Sequence, residues 1–350
     1  MPEQTHTARK AVSSSSLETR ETSVDPDDLP ATYAELRHSR AASRRAKALR
    51  LLSDSLPVSD HRIRRFLSCG RVAWLWRAPD ADAYRLRCTK CRDALCPACQ
   101  QDRARFIRSV VKDWLRAPVH DPDPRVRTRL DAMQLKHTVL TLHCEPDDLR
   151  ARISRILAAF RRLRAHKWWR SKVAGGIWFL HVKWQSDKGW YHVHLHLLVD
   201  AEFLPQHELS DHWKTATTDS DVVWIKRIKS LSYVANYIAR YVSRPADVLG
   251  WQTTPAVDAV LAMAGRRSFG TFGTWFRNLS FKAHDDSWAG WEPVAPVDLL
   301  LHRARDGDPT AVALLAAAGV FYDDRQLAGR PSRPRQDSNS RSPPGTQTDP

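Results

Sequence analysis

Long apolar runs are missing from this 350-residue sequence. The longest, Ala311 to Tyr322, is too short to span a bilayer. Met1 to Lys10 holds no apolar core of a secretory signal, so a cytoplasmic location is expected. No internal repeat is evident, which argues against a solenoid or propeller. Acidic residues are scarce relative to basic ones: 39 Asp+Glu stand against 55 Lys+Arg, a net charge of +16. Such an excess draws polyanions through its long-range field and through counterion release, and it points to nucleic acid. Only six cysteines occur, four of them close together, a usage that suits a reducing compartment and a bound metal better than disulfides. Tryptophan, by contrast, is plentiful at 14 residues. Indole faces can stack on unpaired bases, but most are expected in a core, for which the 42% hydrophobic content is ordinary.

The sequence divides by composition. Residues 1–30 are polar and expected to be a disordered tail. Residues 31–60 read as a very basic helix, with Arg44, Arg45, Lys47 and Arg50 close together. Residues 61–117 carry the cysteines, and a Pro/Asp-rich linker, Pro118 to Pro124, follows. Residues 125–290 then run strand, helix, hairpin, helix. Leu135 to Leu142 partly alternates as a strand. Leu149, Ile153, Ile156, Phe160 and Leu163 recur at helical spacing, with Arg152, Arg155 and Arg162 assigned to the opposite face. Ile177 to Gln185 and Trp190 to Val199 flank the turn Ser186-Asp187-Lys188-Gly189, a hairpin signal. Leu231 to Ser243 reads as a helix ended by Pro245. Residues 291–322 are expected to be a small helical region and 323–350 a second disordered tail. This order predicts an α+β domain built on an antiparallel sheet with flanking helices.

The most informative strand is Trp190 to Val199. Alternation places His192, His194 and His196 on one face and Val193, Leu195, Leu197 and Val199 on the other. Three imidazoles on one face of a buried strand are costly unless something holds them, and neutral imidazole is the commonest metal ligand. The bland alternative is three surface histidines on a half-exposed sheet. If the turn pairs Gln185 with Trp190, Lys183 faces His192 and His181 faces His194, and a one-residue slip would undo this. Downstream, Tyr233, Tyr237 and Tyr241 form one stripe of a helix. A tyrosine stripe alone is more often packing than chemistry. Beside a metal, however, a phenol gains an electrophile polarised for attack, and the pair can perform covalent phosphoryl transfer.

His194-Leu195-His196 resembles the histidine–hydrophobic–histidine motif of the HUH endonucleases. Tyr233-Val234-Ala235-Asn236-Tyr237-Ile238-Ala239-Arg240 resembles their tyrosine motif, with Asn236 where a lysine is usual, and Thr138 to Leu142 resembles their first strand. Cys91, Cys96-Pro97, Cys99 and Arg103 are similar to a segment that bacterial plasmid rolling-circle initiators carry ahead of the catalytic domain. The resemblance covers about residues 85 to 280. It implies metal ligands His194 and His196, with His181 where relatives often place an acidic or amide ligand, and Mg²⁺ or Mn²⁺ as the ion. It implies Tyr237 as the nucleophile on single-stranded origin DNA, leaving a 5′-phosphotyrosyl link and a 3′-OH primer. Tyr233 would be a second nucleophile for strand rejoining. No Gly-Lys-Ser/Thr phosphate loop is seen, so a helicase and a polymerase would come from the host. Arg240, Arg266 and Arg267 are candidate DNA contacts. A transposase or relaxase would share both motifs, and a non-catalytic zinc protein that binds DNA is a further alternative.

Cys88, Cys91, Cys96 and Cys99 follow a C-x2-C-x4-C-x2-C spacing that suits structural Zn²⁺. Its middle spacing is tight, so Cys69 or a nearby histidine could replace one ligand, and the last three cysteines also fit an iron–sulfur spacing. Cys144 reads as an ordinary buried thiol.

Overall fold

The computed structural model describes residues 29–79, 83–123, 125–143, 148–228, 230, 232–234, 236–237, 244–279, 281 and 288–320. Both expected tails, apart from Leu29 and Pro30, lie outside these residues, as do Cys144, Arg240 and Tyr241.

The strands are β1 (Ala73–Arg77), β2 (Tyr84–Cys88), β3 (Leu135–Thr141), β4 (Val173–Gln185), β5 (Trp190–Ala201), β6 (Val223–Arg227), β7 (Phe269–Gly273) and β8 (Glu292–Pro296). They form the expected α+β architecture with antiparallel sheets: five strands in the order β6-β3-β5-β4-β7, and three in the order β2-β1-β8. The β4–β5 hairpin has the register its turn implies, Gln185↔Trp190. Gly189 closes that turn at φ +71°, a conformation glycine adopts without strain, and its N–H donates to the Gln185 carbonyl at 2.9 Å. Both strands run further than alternation indicates. β4 starts at Val173 and passes through Gly175 and Gly176, residues with no side chain to signal a strand. A Cβ at Gly176 would lie 2.4 Å from the Leu198 carbonyl oxygen, so the close pairing needs glycine there.

The five-stranded sheet separates two cores. On one face, Val193, Leu195, Leu197 and Val199 of β5 are fully buried against the helices Leu149–Ala165 and Gln206–Thr217. Trp169 and Trp213 fill this core, and burial of each such side chain stabilises by roughly 2–3 kcal/mol. On the other face, Leu198 of β5 and Ile177 and Phe179 of β4 pack with Ile107, Val111 and Leu115 of the helix Pro97–Arg116. The histidines lie on this second face.

Two helical expectations need correction. Arg152 is not on the solvent face of its helix: it is 1% exposed and donates to the His143 carbonyl. Arg155 and Arg162 reach the carbonyls of Thr217 and Ala216, the orphan acceptors at the end of the helix Gln206–Thr217. Part of the positive charge is therefore structural. The basic helix of residues 31–60 is also not one rod. It breaks into Tyr33–His38, a 3₁₀ turn Ser39–Ala41, and Ala42–Ser55. The two halves serve different cores: Tyr33 joins the one behind the three-stranded sheet, and Ala48, Leu51 and Leu52 join the larger one. His38, held 3.2 Å from the Cys69 carbonyl oxygen, pins the break.

The three-stranded sheet joins distant parts of the sequence. β8 pairs with β1, and the helices Val297–Arg305 and Pro309–Ala317 pack with Leu29, Tyr33 and Leu75. No helix among the described residues is long and apolar enough to cross a membrane.

Candidate active site

β5 is paired on both sides, by β3 and by β4. This central position fixes its side chains. His181 of β4 stands opposite His194, and Val139 of β3 opposite His196. His181, His194 and His196 are all buried, and one nitrogen from each ring falls within a mutual separation of 4.8 Å. His181 Nδ1 and His194 Nε2 are only 2.7 Å apart. Two nitrogens on one ion at about 2.1 Å and a right angle would be ~3 Å apart, so the pair is already near a shared coordination geometry. Neither His181 nor its two partners is joined by a carboxylate in this group. The set fits a metal that accepts nitrogen ligands. His192, the third imidazole of the strand, lies at the rim, half-buried, its ring 4.8 Å from that of His194. Burial, reinforced by Lys183, holds it below the usual histidine value.

The tyrosines come from the helical residues 232–234 and 236–237. Tyr237 is 5% exposed, with its ring 6.3 Å from that of His196. Tyr233 is 37% exposed and stacks on Tyr237 at 6.3 Å. The four-residue spacing thus produces one inward phenol and one at the surface, both beside the histidines.

A residue that the sequence did not single out ties the two groups together. His137 of β3 is buried on the same face, with Nε2 3.3 Å from His196 Nδ1 and Nδ1 3.2 Å from the Tyr233 hydroxyl. Its ring packs edge-on against Tyr237 at 4.4 Å and against Trp224 at 4.8 Å. Burial pulls His137 down to about 4, with Lys226 adding to the effect. The ring is therefore neutral near pH 7, with one nitrogen donating and the other accepting, which is compatible with a bridge between His196 and Tyr233. Alternation within β3 could have put His137 on the face of Val139 and Thr141, but only the β3–β5 pairing brings it to His196.

A second cluster lies under the N-terminal helices, and here the expected ligand set changes. Cys91, Cys96 and Cys99 converge with Cys69, not with Cys88. The Sγ separations are 3.5 Å for Cys69–Cys99, 3.6 Å for Cys91–Cys99 and 3.9 Å for Cys69–Cys96. Thiolates at about 2.3 Å from a tetrahedral ion would be ~3.8 Å apart. Cys88 is the last residue of β2, paired with Ala73, and packs against the core of the three-stranded sheet. The hairpin carries it away while the same turn brings Cys69 in, since Gly70 N–H donates to Thr89 O and Thr89 N–H to Val72 O. Cys96 immediately precedes the helix Pro97–Arg116 and Cys99 lies in its first turn, where the dipole favours thiolate. Hydrogen bonds from neighbouring thiols, that of Cys91 foremost, hold Cys69 below its ordinary value. Arg37 lies 3.8 Å from Cys99 Sγ and 2.7 Å from Asp102. Burial pushes Asp102 up, but Arg37 and Lys90 outweigh it and keep the carboxylate ionised. This cluster, too, fits a metal.

Of the expected DNA contacts, Arg266 and Arg267 are among the described residues and Arg240 is not. Arg266 donates to Ser154 Oγ at 2.9 Å and Arg267 is exposed.

An antiparallel sheet whose central strand presents histidines to a tyrosine-bearing helical turn defines an HUH-type initiator. The chain belongs to the replication protein family Rep_1, which residues 85–292 match, more than half of its length. That family accounts for a role in initiating rolling-circle replication of plasmids. No curated protein and no solved structure matches the chain.

Proposed function

We propose that the protein nicks one strand at a replication origin with Tyr237. The carrying observation is the buried Tyr237 ring held against His137 and 6.3 Å from the His196 ring, next to three imidazoles that fit one ion. The Tyr237 oxygen attacks the scissile phosphorus and the bond to the 3′ oxygen breaks. The phenol gives up a proton and the departing oxygen gains one. The products are a 5′-phosphotyrosyl link and a 3′-OH from which a host polymerase extends, with a host helicase opening the duplex. Because the ester energy stays in the link, the strand can be rejoined without ATP. His181, His194 and His196 would hold Mg²⁺ or Mn²⁺, and the all-nitrogen set favours Mn²⁺. When bound, that ion supplies Lewis-acid polarisation of the phosphoryl oxygen.

Tyr233, at the surface and bonded to His137, is the second nucleophile that ends a round. Cys69, Cys91, Cys96 and Cys99 hold structural Zn²⁺ in a module spanning residues 61–117, ahead of a catalytic unit at 125–290. Arg240, Arg266 and Arg267 contact DNA phosphates, and the protein works in the cytoplasm. The test is a denaturing gel after mixing with labelled single-stranded origin DNA and Mn²⁺. Wild type should give a covalent band and Tyr237→Phe none, although it still binds the DNA; a full-strength band from the variant rejects the assignment.

A further inference from the structure

Between the cysteine-bearing loop and the helix Thr253–Ala262 lies a cavity of about 520 Å³, within the ordinary size range of ligand pockets. Its polar lining is strongly basic: Arg62, Arg65, Arg92, Arg103 and Arg266 against Asp60 and Asp93. With Asp93 paired to Arg62, Asp60 alone stands against Arg65, Arg92, Arg103 and Arg266, so the lining keeps an excess of positive charge. Asp93 is taken by Arg62 through contacts of 2.6 and 3.2 Å, and Asp60 accepts from the Arg62 backbone N–H at 2.7 Å. Arg65 and Arg266 donate to neutral oxygens, the Cys91 carbonyl and Ser154 Oγ. Arg103 is the telling residue. It is half-buried and its guanidinium lies 4.8 Å over the Phe269 ring. No hydrogen bond or carboxylate partner is found for it among the described residues, and burial alone pulls its value down. A cation withdrawn from water with only a ring face for company is costly to keep, and an anion in the cavity would compensate it. The lining also includes the apolar side chains of Leu56, Val248, Val260 and Met263.

The cavity is linked to the candidate active site through the edge of the sheet, although no histidine or tyrosine of that site lines it. Ser268 lines it and accepts from the Leu180 N–H at 2.8 Å, one residue from His181. Phe269, under Arg103, pairs with Phe179 and stacks on it at 6.0 Å, and the Phe179 ring is 6.2 Å from that of Tyr237.

We propose that this cavity seats one nucleotide of the single strand that flanks the scissile phosphate, its phosphate on Arg103 and Arg266 and its base on the apolar side chains of Val260 and Met263. The identity of the strand rests on the nicking reading; the basic, half-apolar cavity does not. Binding of labelled single-stranded origin DNA is measured by fluorescence anisotropy, using the full chain carrying Tyr237→Phe in buffer without Mg²⁺ or Mn²⁺, so no chemistry enters. Arg103→Gln should raise Kd about 5–10-fold at moderate salt and lower the slope of log affinity against log salt by about 0.7, the value of one lost single-strand phosphate contact. Arg103→Lys, which keeps the charge, should keep the slope. Because Arg103 packs on Phe269, its loss could impair folding. The double variant Arg92→Gln/Arg266→Gln leaves the Arg103–Phe269 packing intact and should shift Kd and slope in the same direction, with melting changed far less than by loss of Arg103. Parental Kd and slope in both Arg103→Gln and the double variant overturn the proposal. Inorganic phosphate or a deoxynucleoside monophosphate should compete only weakly; competition at the strand's own affinity makes this a small-anion site and overturns the strand assignment. A covalent band from Tyr237→Phe would reject the nucleophile and leave the Kd comparison intact.

Discussion

The two metal-fitting clusters differ in what holds their residues together. The cysteines come from a turn after the helix His61–Leu67, from a loop and from a helix start; the β1–β2 hairpin brings Cys69 towards Cys91, but none of the four stands on a strand. The histidines stand on β4 and β5, whose backbone ladder fixes His181 opposite His194. In the first cluster the ligands make the local fold, and in the second the fold makes the ligand set. Metal loss should therefore be a stability defect in one and a chemical defect in the other.

The largest effect should fall on the cysteines. Cys96→Ser and Cys69→Ser should each lose the bound zinc and lower the melting temperature by about 10–20 °C, since a structural zinc contributes several kcal/mol or more to folding. Cys88→Ser, outside the cluster, should keep full zinc and shift melting by less than ~4 °C. Elemental analysis with thermal melting decides between the four-residue sets, and zinc loss from Cys88→Ser alone would restore the spacing-based assignment.

Next in size is the histidine cluster, where the comparison predicts the reverse. His194→Ala should abolish covalent complex formation while melting changes little more than for any buried polar truncation. His181→Ala should weaken Mn²⁺ by ~10–100-fold, recoverable at high metal. Titration of cleavage against Mn²⁺ reads both. Unfolding of His194→Ala on the scale of Cys96→Ser would erase the distinction.

The smallest effect on the first step belongs to Tyr233→Phe. It should still form the first covalent complex, within about threefold of wild type, because the half-exposed phenol bonds His137 and stacks on Tyr237 and stands outside the group of three metal-fitting histidines. It should fail to transfer the joined strand to a second one. Normal transfer would leave the protein with one nucleophile.

What the sequence made legible was local. The four-residue turn ending in glycine determines the β4–β5 register and thereby places His181 beside His194. The 3.6-residue recurrence identifies the helix Leu149–Ala165. What it concealed depends on elements far apart. Cysteine spacing is measured along the chain, but the β1–β2 hairpin folds Cys88 away and brings Cys69 in from 22 residues before Cys91 (91 − 69 = 22). His137 is an isolated histidine in a strand of mixed residues, and its meaning comes from the strand order β3-β5-β4, which no local pattern encodes. Arg152 looked solvent-facing because charge usually is, and the His143 carbonyl it serves helps explain its buried place.

The pairing of β8 with β1 also bears on how the protein is made. Trp74 rests against Pro296, so the small sheet stays open along one edge until the ribosome has delivered nearly the whole described chain. A nascent chain holding only β1 and β2 exposes an unpaired strand and the apolar side chains that Val297, Leu300 and Leu301 later cover. Pairing over such a separation is slow to close, because loop entropy is paid before the contact rewards it. Message truncated before residue 292 would thus yield chains prone to stick to one another, and the supply of finished initiator would depend on complete translation.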